Sequence, residues 1–277
     1  MKKLAFLALC LIFFSGFNPK SLTWVAIGDS ITYLNDHPDE TGNRISKGYL
    51  SLVQDKFPDL EVINKGYNGW TAVKIATEFE KLEVPKADVY SIFLGTNDWW
   101  GGRPLGTFDD YLTNTGVGTV HGAFRVIVDN LKSLNGQAKI ILITPMQRVD
   151  FVYINDYKNN AYGSYREKNG QKLEQFANAI VAIANYEKFN VVDLYHKKGM
   201  GHADLVKFKR LKDPQTGEYL KYKYPDFIDI NFDPKKDEYP YPAKSIEVTY
   251  DGLHPSDKGY RMIAKELYPI FKDIILR

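Results

Sequence analysis

Cysteine is almost absent: Cys10 is the only one in 277 residues. No internal disulfide and no thiolate metal site can be built from this chain. A dominant charge is missing too. Lys and Arg number 36 against 34 Asp and Glu, and without Lys2 and Lys3 the two signs balance. A neutral chain has no electrostatic footprint for nucleic acid and little attraction to an anionic membrane. Beyond Phe14 there is no long apolar run, so no stable membrane insertion is expected. Nor is there an internal repeat or a Gly/Ser-rich or Pro-rich linker, and one domain over 17–277 is the simplest division. His37 with Asp36, Asp39 and Glu40 makes a polar loop without metal-ligand spacing; no metal and no cofactor is expected.

What is present begins at the N-terminus. Lys2 and Lys3 precede an apolar stretch from Leu4 to Phe14, followed by Ser15 and Gly16. That is the pattern of a signal peptide over 1–16, too short to span a bilayer. The chain is therefore expected to be exported to a periplasmic, extracellular or cell-surface location. Cys10 as a lipid anchor is the weaker alternative, because bulky Leu9 precedes it where such signals want a small residue.

Along the rest of the chain, apolar runs of strand length alternate with helical spacing. Strands are expected at Thr23–Ile27, Glu61–Asn64, Asp88–Leu94, Lys139–Ile143 and Asn190–Leu194. Helices are expected at Gly48–Phe57, Thr71–Leu82 with Thr71 as cap, Val120–Leu134, Gln171–Tyr186 and from about Ser256 onward, with Pro269 bending or ending the last. This alternation implies an α/β fold in which a mainly parallel sheet is covered on both faces, with ligands at the carboxyl ends of its strands. One segment, 197–244, is polar and rich in Tyr, Lys and Pro. Its Asp213–Gly217 turn signal suggests a hairpin, and the segment is either a surface excursion or a lid.

Three strand ends carry residues suited to chemistry. The first leads into Gly28-Asp29-Ser30, the second into Asn64 through Gly69-Trp70-Thr71, and the third into Gly95-Thr96-Asn97-Asp98. A fourth group, Asp251-Gly252-Leu253-His254-Pro255, precedes the last helix. A serine hydroxyl needs a base to become a nucleophile, and that base needs a group fixing its tautomer. Ser30, His254 and Asp251 can supply the three. A developing oxyanion needs fixed donors, available from the Ser30 and Gly69 N–H groups and the Asn97 amide.

In this order the four motifs resemble the SGNH hydrolase superfamily, the GDSL esterases and lipases. Gly28-Asp29-Ser30 matches the nucleophile block, Gly69 and Asn97 the two oxyanion blocks, and Asp251-x-x-His254 the block that completes the triad. The resemblance implies a flavodoxin-like three-layer α/β/α sandwich around about five parallel strands, and hydrolysis of an ester through an acyl-serine. Within that family, export and an aromatic-rich rim favour a short acyl group, such as acetyl, on a carbohydrate or similar small polar molecule. Longer-chain lipase or lysophospholipase activity and non-catalytic carbohydrate binding are the rivals, as is a glycosidase using Asp29 and Asp251. Asp29, Trp70, Trp99, Trp100 and Arg148 are the further candidates for contact with substrate. The alternatives are edge packing for the tryptophans and a surface ion pair for Arg148. His121, His196 and His202 have no partner motif. The oligomeric state is not legible.

Overall fold

A computed structural model describes residues 21–276; the expected signal peptide at 1–16, with Cys10, lies outside them. The strands are β1 (Leu22–Gly28), β2 (Leu60–Gly66), β3 (Val89–Phe93), β4 (Lys139–Ile143), β5 (Phe151–Tyr153), β6 (Asp156–Ala161), β7 (Asn190–Val192), β8 (Lys209–Lys212) and β9 (Tyr219–Tyr222). The helices are α1 (Ser30–Tyr33), α2 (Tyr49–Lys56), α3 (Ala72–Thr77), α4 (Thr96–Trp100), α5 (Phe108–Leu112), α6 (Val120–Leu134), α7 (Leu173–Glu187), α8 (His202–Leu205) and α9 (Asp257–Ile275).

Five strands form one parallel sheet in the order β2-β1-β3-β4-β7. Side chains alternate across it. Trp24, Ala26, Val89, Phe93, Ile141 and Ile143 pack on one face, where α2 and α9 lie side by side. Val25, Ile27, Tyr90, Ile92, Ile140 and Leu142 pack on the other, against α3, α6 and α7. Because the central strands β1, β3 and β4 are covered on both sides, they read as nearly continuous apolar runs, while the edge strands β2 and β7 are less buried. The result is the expected three-layer α/β/α sandwich. The chain leaves β1 for β2 on one side and then returns to place β3 on the other. At this reversal the loops after β1 and β3 diverge, opening a crevice at the carboxyl ends of the strands.

Two helices differ from expectation. The helix expected over Thr71–Leu82 stops at Thr77 and continues as a tighter 3-10 turn over Phe79–Leu82. Its three-residue period turns both Phe79 and Leu82, each 7% exposed, toward the core. Thr71 does cap α3, its hydroxyl accepting from Lys74 N–H at 3.0 Å. The last helix runs through Pro269 to Ile275. Proline removes one hydrogen bond there, but buried Ile263, Leu267 and Phe271 anchor α9 to the core on both sides of it.

The polar segment 197–244 contains the anticipated hairpin, β8 paired antiparallel with β9 around Asp213–Gly217. It is not a mere surface excursion. Leu205, Leu211, Phe227 and Tyr241 belong to the main core, and the Lys209 ammonium is buried against Asp150 at 2.9 Å. A second hairpin, β5–β6, follows β4 and reaches back over the sheet's carboxyl edge.

Candidate active site

Ser30 is the first residue of α1, directly after β1. Asp29 caps that helix, its carboxylate accepting from Ile31 N–H at 3.0 Å. This cap fixes the turn in which Ser30 stands, partly buried, facing His254. The Ser30 Oγ lies 2.9 Å from His254 Nε2, and His254 Nδ1 lies 2.7 Å from Asp251 Oδ2. An ionised carboxylate can only accept, so Nδ1 carries the proton and Nε2 is left to accept from the serine hydroxyl. The other Asp251 oxygen accepts from the backbone N–H of Leu253 at 3.0 Å and of His254 at 2.7 Å. Asp251 is fully buried and both its oxygens are committed, so its orientation is fixed.

Two opposing influences act on His254. Burial disfavours the imidazolium, while the Asp251 charge and hydrogen bond favour it; the net direction is upward from the ordinary value of 6.5. Burial likewise pushes the Asp29 carboxyl up to about 6, against the Ile31 hydrogen bond that lowers it.

The groups proposed for the oxyanion open on the same cavity. Ser30, Gly69, Asn97 and His254 all line one cavity of about 490 Å³, an ordinary size for a small-molecule site. Gly69 has φ +72°, a left-handed conformation that favours glycine, and a Cβ there would meet nothing within 4 Å. Glycine is thus required by the turn, not by crowding. Neither the Ser30 nor the Gly69 N–H has a hydrogen-bond partner among the described residues. The Asn97 amide donates to Trp70 O at 3.0 Å and, at a long 3.5 Å, to Asp29 Oδ2. Asp98 ties the two loops together: its carboxylate accepts from Ala72 N–H at 2.8 Å and Val73 N–H at 3.3 Å at the start of α3. Burial raises its pKa to about 6 despite those bonds.

The further candidates divide. Trp100 lines the cavity. Trp99 does not: it is fully buried and donates to Gln171 O at 2.9 Å. Successive helical residues point about 100° apart, so α4 sends one indole to the cavity and the other into the core. Trp70 also lies outside the lining, stacked on Tyr67 at 4.5 Å with the Lys74 ammonium 4.3 Å above it. Asp29 is buried by its capping role and does not reach the cavity, and Asp251 is spent on His254. The two carboxylates of the glycosidase alternative therefore do not face a shared cleft. Arg148 lines the cavity and has no carboxylate partner among the described residues, contrary to a surface ion pair.

The β5–β6 hairpin supplies wall residues that sequence reasoning missed: Phe151, Tyr153, Asn159 and Ala161. Phe151 meets the His254 ring edge-on at 5.3 Å. The apolar-aromatic Phe151-Val152-Tyr153 before Asn155-Asp156 was a hairpin signal. A second Ser–His contact, Ser164 Oγ to His202 Nε2 at 2.8 Å, has no carboxylate partner for its histidine among the described residues, and burial drives the His202 pKa down to about 4.

The chain belongs to the GDSL-like lipase/acylhydrolase family, whose model matches residues 26–262. A possible lipase from Chitinophaga pinensis DSM 2588 has a solved structure that is 58% identical, with a TM-score of 0.91 over 92% of this chain and 100% of that one. The lipase/acylhydrolase from Enterococcus faecalis is 17% identical with a TM-score of 0.51, covering 91% of this chain and 96% of that one. The acetyl xylan esterase AlAXEase is 18% identical with a TM-score of 0.54, covering 90% and 99%. These last two are similar in fold. No curated protein matches the chain.

Proposed function

We propose that this family member is an exported serine esterase that removes a short acyl group, such as acetyl, from a carbohydrate or similar polar alcohol. The observation that carries the catalytic reading is the continuous relay from Ser30 through His254 to Asp251, opening into the cavity that Gly69 and Asn97 share. Ser30 Oγ attacks the ester carbonyl carbon while its proton passes to His254 Nε2. The bond to the alcohol oxygen breaks, and His254 returns that proton to the departing alcohol. Water, deprotonated by His254, then attacks the acyl-Ser30 ester, releasing the carboxylic acid and restoring the serine. Negative charge on the carbonyl oxygen is met by the Ser30 and Gly69 N–H groups and the Asn97 amide, each such donor contributing on the order of 3 kcal/mol to the transition state.

The short-acyl reading is supported by the mixed lining, where Asn68, Asn159 and Arg103 stand among aromatic walls. The Lys2–Phe14 pattern supports export. Longer acyl chains are the second reading, favoured by the similarity to a possible lipase. Hydrolysis of nitrophenyl acetate against nitrophenyl palmitate, together with acetate release from acetylated oligosaccharides, separates the two. The short-acyl proposal expects acetate turnover that Ser30→Ala abolishes; a strong long-chain preference overturns it.

A further inference from the structure

Arg148 is the unusual group in this cavity. Its side chain is 1% exposed, yet it lines the space into which Ser30 and His254 open. Burying a guanidinium is costly unless its charge and its donors are matched. Here they are not. Nη2 donates to Tyr162 O at 3.0 Å, while Nε is a buried donor without a partner among the described residues. The two carboxylates whose charges act on it are both committed elsewhere. Asp150 takes hydrogen bonds from Lys209 at 2.9 Å, from Gly163 N–H at 2.9 Å and from the Tyr165 hydroxyl. Asp251 is occupied by His254 and Leu253.

The position is built, not accidental. The Trp99 and Trp100 rings lie 4.8 and 4.6 Å from the guanidinium carbon, and the backbone is clamped by Ser164, whose N–H donates to Arg148 O at 2.8 Å and whose hydroxyl accepts from Arg148 N–H at 3.0 Å. Aromatic rings cover the guanidinium while its in-plane donors stay largely unused, which is the geometry for a planar carboxylate. A second guanidinium, exposed Arg103, lines the same cavity. The one opposing charge in the lining is Glu40, and its oxygens accept from the Tyr33 hydroxyl at 2.8 Å and the Asn68 amide at 3.3 Å. Burial lowers the Arg148 pKa to about 9, which still leaves the group cationic at neutral pH.

We propose that Arg148 binds a carboxylate on the substrate, so that the ester cleaved at Ser30 is carried by an acidic alcohol, such as an acylated uronic-type sugar. This rests on the esterase reading above and narrows its substrate class. Since Arg148, Ser30 and His254 line one cavity, the carboxylate and the scissile ester belong to the same sugar-sized unit.

The test compares O-acetyl galacturonate with O-acetyl galactose, which differ only in a carboxylate against a hydroxymethyl group. The full chain is expected to favour the acidic ester in kcat/KM by roughly tenfold or more, chiefly through KM. Arg148→Gln is expected to collapse that ratio, and Arg148→Lys to retain part of it. A ratio near one in the unaltered protein, or a preference unchanged in Arg148→Gln, overturns the proposal. Calorimetry on Ser30→Ala gives an arm that needs neither turnover nor an Arg148 variant. Galacturonate binding roughly tenfold tighter than galactose supports the carboxylate site; equal binding, or inorganic phosphate binding more tightly than galacturonate, contradicts it. Failure of the esterase reading would look different: no hydrolysis of either ester and no labelling of Ser30 by a fluorophosphonate, whatever calorimetry finds.

Discussion

His254 and Asp29 carry the pH behaviour of the site, in opposite senses. In the proposed mechanism His254 works as base only as neutral imidazole. Its pKa lies above 6.5 because Asp251 outweighs burial, so activity is lost as pH falls through a value higher than that of a free histidine. A kcat/KM profile should place the acid limb above pH 6.5. Asp251→Asn should move the limb down and lower kcat by on the order of 10⁴; an unmoved limb would mean that Asp251 does not set the base. Asp29 titrates near 6 in the fold against 3.8 for an unperturbed carboxyl. Between those values the native chain holds more protons than the unfolded one, so the stability contribution of Asp29 falls as pH rises across that window. Asp29→Asn keeps an oxygen for the Ile31 cap and has no charge to bury. It should gain up to about 3 kcal/mol over the unaltered chain between pH 4 and 7, measured by urea unfolding; a constant difference across that range would contradict the assignment.

Among the elements, α3 and α4 hold the Gly69 loop through one carboxylate. Asp98, on α4, accepts both N–H groups at the start of α3, while Asn97 beside it grips Trp70 O. Asp98→Ala leaves those buried donors unpaired and should cost about 1–3 kcal/mol of stability. Because Gly69 would then be less well fixed, kcat should fall with little change in KM; a change confined to KM would argue against this positioning role. The sequence made these parts legible unevenly. Strand ends could be found because buried parallel strands are apolar runs that stop at Gly28 and Gly95, and each stop delivers a motif to the sheet's edge. Whether an indole next to the motif faces ligand or core depends on helical phase, which a five-residue helix such as α4 is too short to display. That is why Trp99 and Trp100 could not be told apart. The β5–β6 wall is hard to read because β5 is only three residues long and its partner β6 is polar and mostly exposed.

For the molecule as a whole, the polar segment 197–244 illustrates how composition misleads about burial. Its charges point to the surface, as an excursion or a lid, yet Lys209 is 1% exposed and enters the core with its ammonium 5.3 and 5.8 Å from the ring centroids of Phe227 and Tyr241. The ammonium compensates Asp150, two residues from Arg148, so this segment braces one wall of the cavity. Lys209→Ala would leave the largely buried Asp150 carboxylate without its counter-ion, though still hydrogen-bonded to Gly163 N–H and the Tyr165 hydroxyl, and should destabilise the protein by about 3 kcal/mol, read from the midpoint of urea unfolding. A loss under about 1 kcal/mol would mean that water reaches Asp150 freely.

The central claim is that Ser30, activated by His254, is the nucleophile. Fluorophosphonate labelling followed by intact-mass and peptide analysis tests it without knowledge of the substrate. The expected result is one adduct per chain, located on Ser30, and absent from Ser30→Ala and strongly slowed in His254→Ala. An unlabelled Ser30 in the folded protein, or an adduct of equal yield in the Ser30→Ala variant, would contradict it.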